Sequence, residues 1–146
     1  MFSFEDISDW FWDIIQQADK NPDILASILM EMPKKSICRF QYEFESTLYL
    51  VWDDVEAKLR LSEDGTLETC GWIVSQGKDY FVYVKNHPDG IPETNYIDFS
   101  QSLYGVADGV YLELFDEFLP VPPGGYYYNS PWKVKPGLYH LENKAD

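Results

Sequence analysis

The 146-residue chain carries 25 acidic side chains against 11 basic ones, for a formal charge of −14, and is 45% hydrophobic and 17% aromatic. That is too apolar for an acidic disordered tail, and the length suits one hydrophobic core, so a single domain over residues 1–146 is expected. With no basic footprint to release counterions or settle on anionic lipid, direct nucleic-acid binding and attachment to an anionic membrane are both excluded.

The N-terminal Phe2-Ser3-Phe4-Glu5-Asp6 lacks the positive region of a secretory signal, and no run approaches the roughly 20 apolar residues of a membrane span. The expected compartment is therefore cytoplasmic. Cys38 and Cys70 read as buried reduced thiols, although a single bridge stays open if their segments are neighbours. Charge is distributed in blocks: residues 1–32 carry −6, 33–88 carry −2, 89–117 carry −7 with no base at all, and 118–146 carry +1.

The first block predicts two helices. Ser3 caps the first, with Asp6 reaching back and Phe2 stapled to Ile7. Phe4, Ile7, Phe11, Ile14, Ile15 and Ala18 then recur on one face. Asp9 and Asp13 form a ridge of like charge off that face, and Trp10 and Trp12 flank it. Asn21-Pro22-Asp23 restarts the chain as a second helix whose apolar face is Ile24, Leu25, Ile28, Leu29 and Met32.

The second block predicts a mostly antiparallel sheet of five or more strands. Cys38, Phe40, Tyr42 and Phe44 alternate with polar residues, and 47–52 is a dense β-prone run. Residues 55–61 alternate again, Glu63-Asp64-Gly65 reads as a reversal into 66–74, and Gln76-Gly77-Lys78 turns into 80–84. Further on, 96–99 suits a short edge strand and 138–141 a closing one. Residues 109–119 fit either a helix capped by Asp108 and stopped before Pro120 or a strand of Val110, Leu112 and Leu114 entered through the Asp108-Gly109 turn; Phe115 and Phe118, which break the strand alternation, favour the helix. The fold class is thus α+β, with two N-terminal helices packed on the sheet and a third helix or an extra hairpin near 109–119.

No catalytic constellation is marked. His87, His140, Cys38 and Cys70 lack the paired spacing of a zinc site, no nucleophile elbow is present, and no glycine-rich loop ends in a lysine. No cofactor or metal is expected. Asp53-Asp54, Glu43 with Glu45, and Asp116-Glu117 are carboxylate pairs that solvated turns explain equally well. The remaining signal is acid beside aromatic. The segment carrying Asp89, Glu93, Asp98, Asp108, Glu113, Asp116 and Glu117 supplies a steering field, and Tyr126, Tyr128 and Trp132 supply rigid anchors. A second acidic set, Asp6, Asp9 and Asp13, could serve on another face.

This profile suits a non-catalytic protein that binds a basic partner protein, as inhibitors of nucleases, toxin-neutralising immunity proteins and nucleic-acid mimics do. The analogy is one of charge and size. Two other readings stay open: a carbohydrate-binding or glycoside-acting domain stacking sugar on Trp52, Trp72 or Trp132, and an assembly subunit. A homodimer is compatible with any of them.

Overall fold

Ser3 does close on Asp6: its backbone N–H donates to the carboxylate at 2.9 Å, but the result is a single 3-10 turn, Phe4–Asp6. The first helix proper, α1, is Asp9–Ala18, capped by Ser8, whose hydroxyl accepts from the Phe11 N–H. In the computed structural model, which describes residues 2–121, α1 is followed by six more helices. They are α2 (Pro22–Met30), α3 (Lys34–Tyr49), α4 (Trp52–Leu59), α5 (Glu63–Ser75), α6 (Lys78–Asn86) and α7 (Val106–Phe115). Between α6 and α7 lie three further 3-10 turns, Pro88–Gly90, Thr94–Tyr96 and Phe99–Gln101.

The described residues contain no strand, so the α+β expectation is corrected: the fold is all-helical. The segments read as strands at 38–44, 55–61, 66–74 and 80–84 lie largely in α3, α4, α5 and α6, and 47–52 spans the α3–α4 corner. The edge strand at 96–99 is instead the end of one 3-10 turn and the start of the next. The expected strand at 138–141 lies outside the described residues.

Helix α3 explains the largest part of the error. It sits at the centre of the molecule, against α1, α4, α5 and α7, and its residues 40–48 are all buried. A helix covered on every side has no polar face, so its apolar residues lose the 3.6-residue rhythm of a surface helix. Cys38, Phe40, Tyr42 and Phe44 then alternate without belonging to a sheet.

The polar residues between them are buried too, and satisfied locally. Gln41 Nε2 donates to Glu45 Oε1 at 3.0 Å, and the Ser46 hydroxyl donates to the Tyr42 carbonyl at 2.8 Å. Glu43, fully buried, accepts from the Ser8 N–H at 2.9 Å, the Ser8 hydroxyl at 3.1 Å and Arg39 Nε at 2.9 Å. One carboxylate thereby fastens the start of α1 to α3.

Around this axis the aromatic rings form the core. Phe11 lies 5.1 Å from Phe40 and 5.9 Å from Phe44, between ring centroids, and Trp12 lies 5.6 Å from Phe81 of α6. α2 packs on α1 and α7, while α5 packs on α4 and α6. The second helix begins as its sequence demands, with Asn21 Oδ1 accepting from the N–H of Asp23 and Ile24 and Pro22 at the first position. The helix expected near 109–119 is present but displaced to Val106–Phe115, with Gly105 rather than Asp108 as its N-cap.

Candidate functional site

The 91–103 connection is built on three buried residues six apart, Ile91, Ile97 and Leu103. Each pins the backbone, and the 3-10 turns between them stand outward. Lys58 of α4 holds one end by donating to the carbonyls of Asp89, at 2.6 Å, and of Ile91. Asp98 caps its own turn by accepting from the N–H and hydroxyl of Ser100 at 3.1 and 2.6 Å. The outward turns carry Tyr96, 77% exposed, and Phe99, 38% exposed. These are exposed aromatics that a strand reading of 96–99 hides.

Asp89, Glu93 and Asp98 are exposed along this connection, and Asp108, Glu113, Asp116 and Glu117 are exposed on or just after α7. The seven acids are therefore strung from the α4–α6 side round to the helix that packs on α2 and α3. Glu117 is also engaged within the chain: Lys34 Nζ stands 3.1 Å from it and the Tyr111 hydroxyl donates to it at 3.2 Å. That Lys34 partner holds the Glu117 carboxyl below the usual range. Tyr126, Tyr128 and Trp132 lie outside the described residues.

Of the other acidic set, Asp9 and Asp13 fall on a concave face, whereas Asp6 is held in the Ser3 turn and does not line it. Asp9 and Asp13 of α1 line a hollow of about 560 Å³ together with Asp19, Lys20, Gln76, Lys78 and Asp79, and Trp12 and Ile15 contribute to its wall. A second hollow of about 620 Å³ is lined by Asp19, Lys20, Asn21, Pro22, Asp23, Ser100 and Gln101. Asp19 and Lys20 line both, so the two shallow hollows adjoin and together make up one acidic face. Its five exposed aspartates, Asp9, Asp13, Asp19, Asp23 and Asp79, outnumber its two lysines.

At the shared point the backbone is unusual. Asp19 and Lys20 take φ of 49° and 57°, two consecutive non-glycine residues in the left-handed region. Each costs on the order of 1 kcal/mol there, so the tight α1–α2 corner that projects them carries strain. Sequence reading finds Asp9 and Asp13. It misses Asp19, which sits past the end of the helical pattern, and Asp79, which only the packing of α6 beside α1 brings into place.

Two tryptophans proposed as a sugar platform are core residues. Trp52 and Trp72 are 5% and 8% exposed, their rings packed on Tyr49 and Tyr80 at 5.5 and 5.6 Å. Cys38 and Cys70 are both buried, and burial, with the nearby Asp54 charge, pushes the Cys70 thiol upward. Among the described residues, no three histidine, cysteine or carboxylate side chains stand close enough to hold a metal ion, and no helix is long and apolar enough to cross a membrane.

A buried acid forms a separate cluster. Glu45, 4% exposed, accepts from the Tyr104 hydroxyl at 2.9 Å as well as from Gln41. Its carboxyl is pushed up to about 7, first by burial and further by the Asp108 charge, against the lowering effect of both hydrogen bonds. Asp108 is itself raised by desolvation although its side chain reaches the surface.

These features define a small acidic helical domain with a concave aspartate-lined face and a buried carboxyl beneath α7. Within that class, the chain belongs to a family of proteins of unknown function, DUF4240, whose family model matches residues 7–113. The match runs from just before α1 almost to the end of α7, so it includes both the acidic face and the Glu45 cluster. No curated protein and no solved structure matches the chain.

Proposed function

We propose that the protein binds a basic partner protein through the concave face of Asp9, Asp13, Asp19, Asp23 and Asp79, without catalysis, in the manner of an inhibitor or immunity protein. The observation that carries this reading is that the two adjoining hollows share Asp19 and Lys20 in their linings and are edged by five exposed aspartates against two lysines.

Charge accounting points the same way. Residues 2–121 carry 23 acids and 8 bases. Several of those bases are occupied internally: Arg39 by Glu43, Lys34 by Glu117, Lys58 by backbone carbonyls, and Lys85 by the Leu50 carbonyl and Asp54. The aspartates of the face are left to act outward. A field of this sign accelerates encounter with a cationic protein, falls with salt, and repels nucleic acid. Phe99, next to Ser100 on the rim of one hollow, and Tyr96 offer aromatic area where a partner could be desolvated.

The test is affinity capture from source-cell lysate across a salt series, with three baits. One is the natural chain, one carries Asp9→Lys, Asp13→Lys and Asp19→Lys, and one carries Asp89→Lys, Glu93→Lys and Glu113→Lys. Both variants change the charge equally, so only location differs. The expected result is a stoichiometric basic protein retained by the natural and the second variant baits and lost from the first. Loss from the second variant alone would move the interface to the 89–117 segment. Equal retention by all three would remove the acids from the interface.

A further inference from the structure

The turn over residues 103–105 is held from two sides. On α5, the Ser75 hydroxyl accepts from the Leu103 N–H at 2.8 Å, and Gly71 faces Tyr104 so closely that a Cβ there would stand 2.8 Å from the Tyr104 Cβ. On α3, Glu45 receives the Tyr104 hydroxyl, and the Tyr104 ring packs 5.9 Å from Phe44. Gly105, at φ +86°, then turns the chain directly into α7, whose first turn carries Asp108. The seating of α7 on α3 and the cover over Glu45 are thus one arrangement.

We propose that Glu45, Tyr104 and Asp108 form a proton-operated latch: protonated Glu45 keeps the 103–105 turn and the start of α7 seated on α3, and ionised Glu45 releases them. The step is a single proton leaving the Glu45 carboxyl to solvent, with no other bond changed. Once ionised, a carboxylate nearly excluded from water stands within the field of a second one, and lifting the turn rehydrates both. The groups acting on Glu45 are Asp108 from α7, Tyr104 from the turn, and Gln41 on its own helix; Tyr49, one turn further along α3, acts on Tyr104. The helix behind the turn, α5, meets it with Gly71 and Ser75. None of the groups that act on Glu45 is a base that could compensate the charge. This inference is independent of the partner-binding reading.

The sign follows from linkage. With the closed-state carboxyl titrating near 7 and the opened one near 4.5, closure binds a proton between those values. The latch is tight below about 4.5 and weakens as pH rises through 7. Hydrogen exchange of the α7 amides, corrected for intrinsic chemical exchange, reads the opening. The open-to-closed ratio should rise about tenfold between pH 6 and pH 8. Amides of α1 should show no such rise. Glu45→Gln, which keeps an acceptor for Tyr104 but cannot ionise, should flatten the profile, and Asp108→Asn should lower its midpoint.

A flat natural profile, an unchanged rise in Glu45→Gln, or an equal rise throughout the molecule would each overturn the latch. If Glu45→Gln does not fold, a carbon-13 titration of the Glu45 carboxyl in the natural chain and in Asp108→Asn decides. A midpoint near 7 that falls in the variant supports the latch, and a midpoint in the ordinary carboxylate range overturns it.

Discussion

Replacing Glu43 with alanine removes the junction between α1 and α3, and its cost can be worked from the structure. The carboxylate has no solvent exposure and accepts three hydrogen bonds, two from Ser8 and one from Arg39. Each Ser8 bond to a charged acceptor contributes about 1.5 kcal/mol, and the half-buried Ser8 N–H would be left without that partner. The Arg39 pair counts for less. Its side chain is 24% exposed and also rests on the Trp10 ring, 4.5 Å from the centroid, so it can rehydrate in place. About 1 kcal/mol is a fair share for it.

The sum is roughly 4 kcal/mol, a large part of the 5–15 kcal/mol typical of a domain, and on the order of a 10 °C fall in Tm. Urea unfolding followed by tryptophan fluorescence measures it. Arg39→Ala should cost more than the pair's own share, about 3 kcal/mol, because it leaves the fully buried Glu43 carboxylate without its countercharge. A double-mutant cycle of Glu43→Ala with Ser8→Ala should be non-additive by about the one hydroxyl bond they share, on the order of 1.5 kcal/mol, because Ser8→Ala keeps the N–H bond to Glu43. A loss below about 1 kcal/mol for Glu43→Ala, or an additive cycle, would refute the claim that this carboxylate fastens the two helices.

Other outcomes follow from the same geometry. Gly71→Ala should destabilise by about 1–3 kcal/mol, since the new Cβ collides with Tyr104; on an exposed helix the same change would stabilise, so the sign alone decides. Asn21→Ala should cost about 1 kcal/mol in urea melts by removing the cap of α2. Gly105→Ala should cost about 1 kcal/mol through its left-handed backbone and should increase exchange at the α7 amides before it affects those of α1. Far-ultraviolet circular dichroism should show the double minimum of a helical protein; a spectrum with a single sheet minimum would contradict the fold.

The ends of the described chain were more legible than its middle. Asn21-Pro22-Asp23 specifies a helix start by local chemistry alone, and the structure uses each residue as that chemistry requires. The apolar stripe of α1 is likewise readable because the opposite side of that helix meets water. In α3 the periodic signal disappears, because residues 40–48 are buried whatever their polarity. A different clue was present there: residues 34–49 contain no glycine, proline or asparagine to divide them into strands. Ser62-Glu63-Asp64-Gly65 misled in a related way. It is an N-cap followed by an acidic first turn, with Ser62 accepting from the Gly65 N–H, and a glycine after two acids imitates a hairpin.

The candidate sites divide similarly. Asp9 and Asp13 were visible as an unexplained like-charge ridge, and their partners Asp19 and Asp79 come from a corner and a helix that only tertiary packing brings near. Glu45 was visible merely as one of two acids in an alternating run. Its environment depends on Tyr104, 59 residues away, which no local pattern announces.

The most direct test of the partner-binding account is the dissociation constant of the captured basic protein, measured by calorimetry at low and at physiological salt. The natural chain is compared with the two charge-matched variants. The account predicts that Asp9→Lys with Asp13→Lys and Asp19→Lys weakens the complex more than about tenfold at low salt, that the Asp89, Glu93 and Glu113 reversals change it only slightly, and that added salt narrows the difference. Equal weakening by the two variants, or an affinity indifferent to salt, would contradict it.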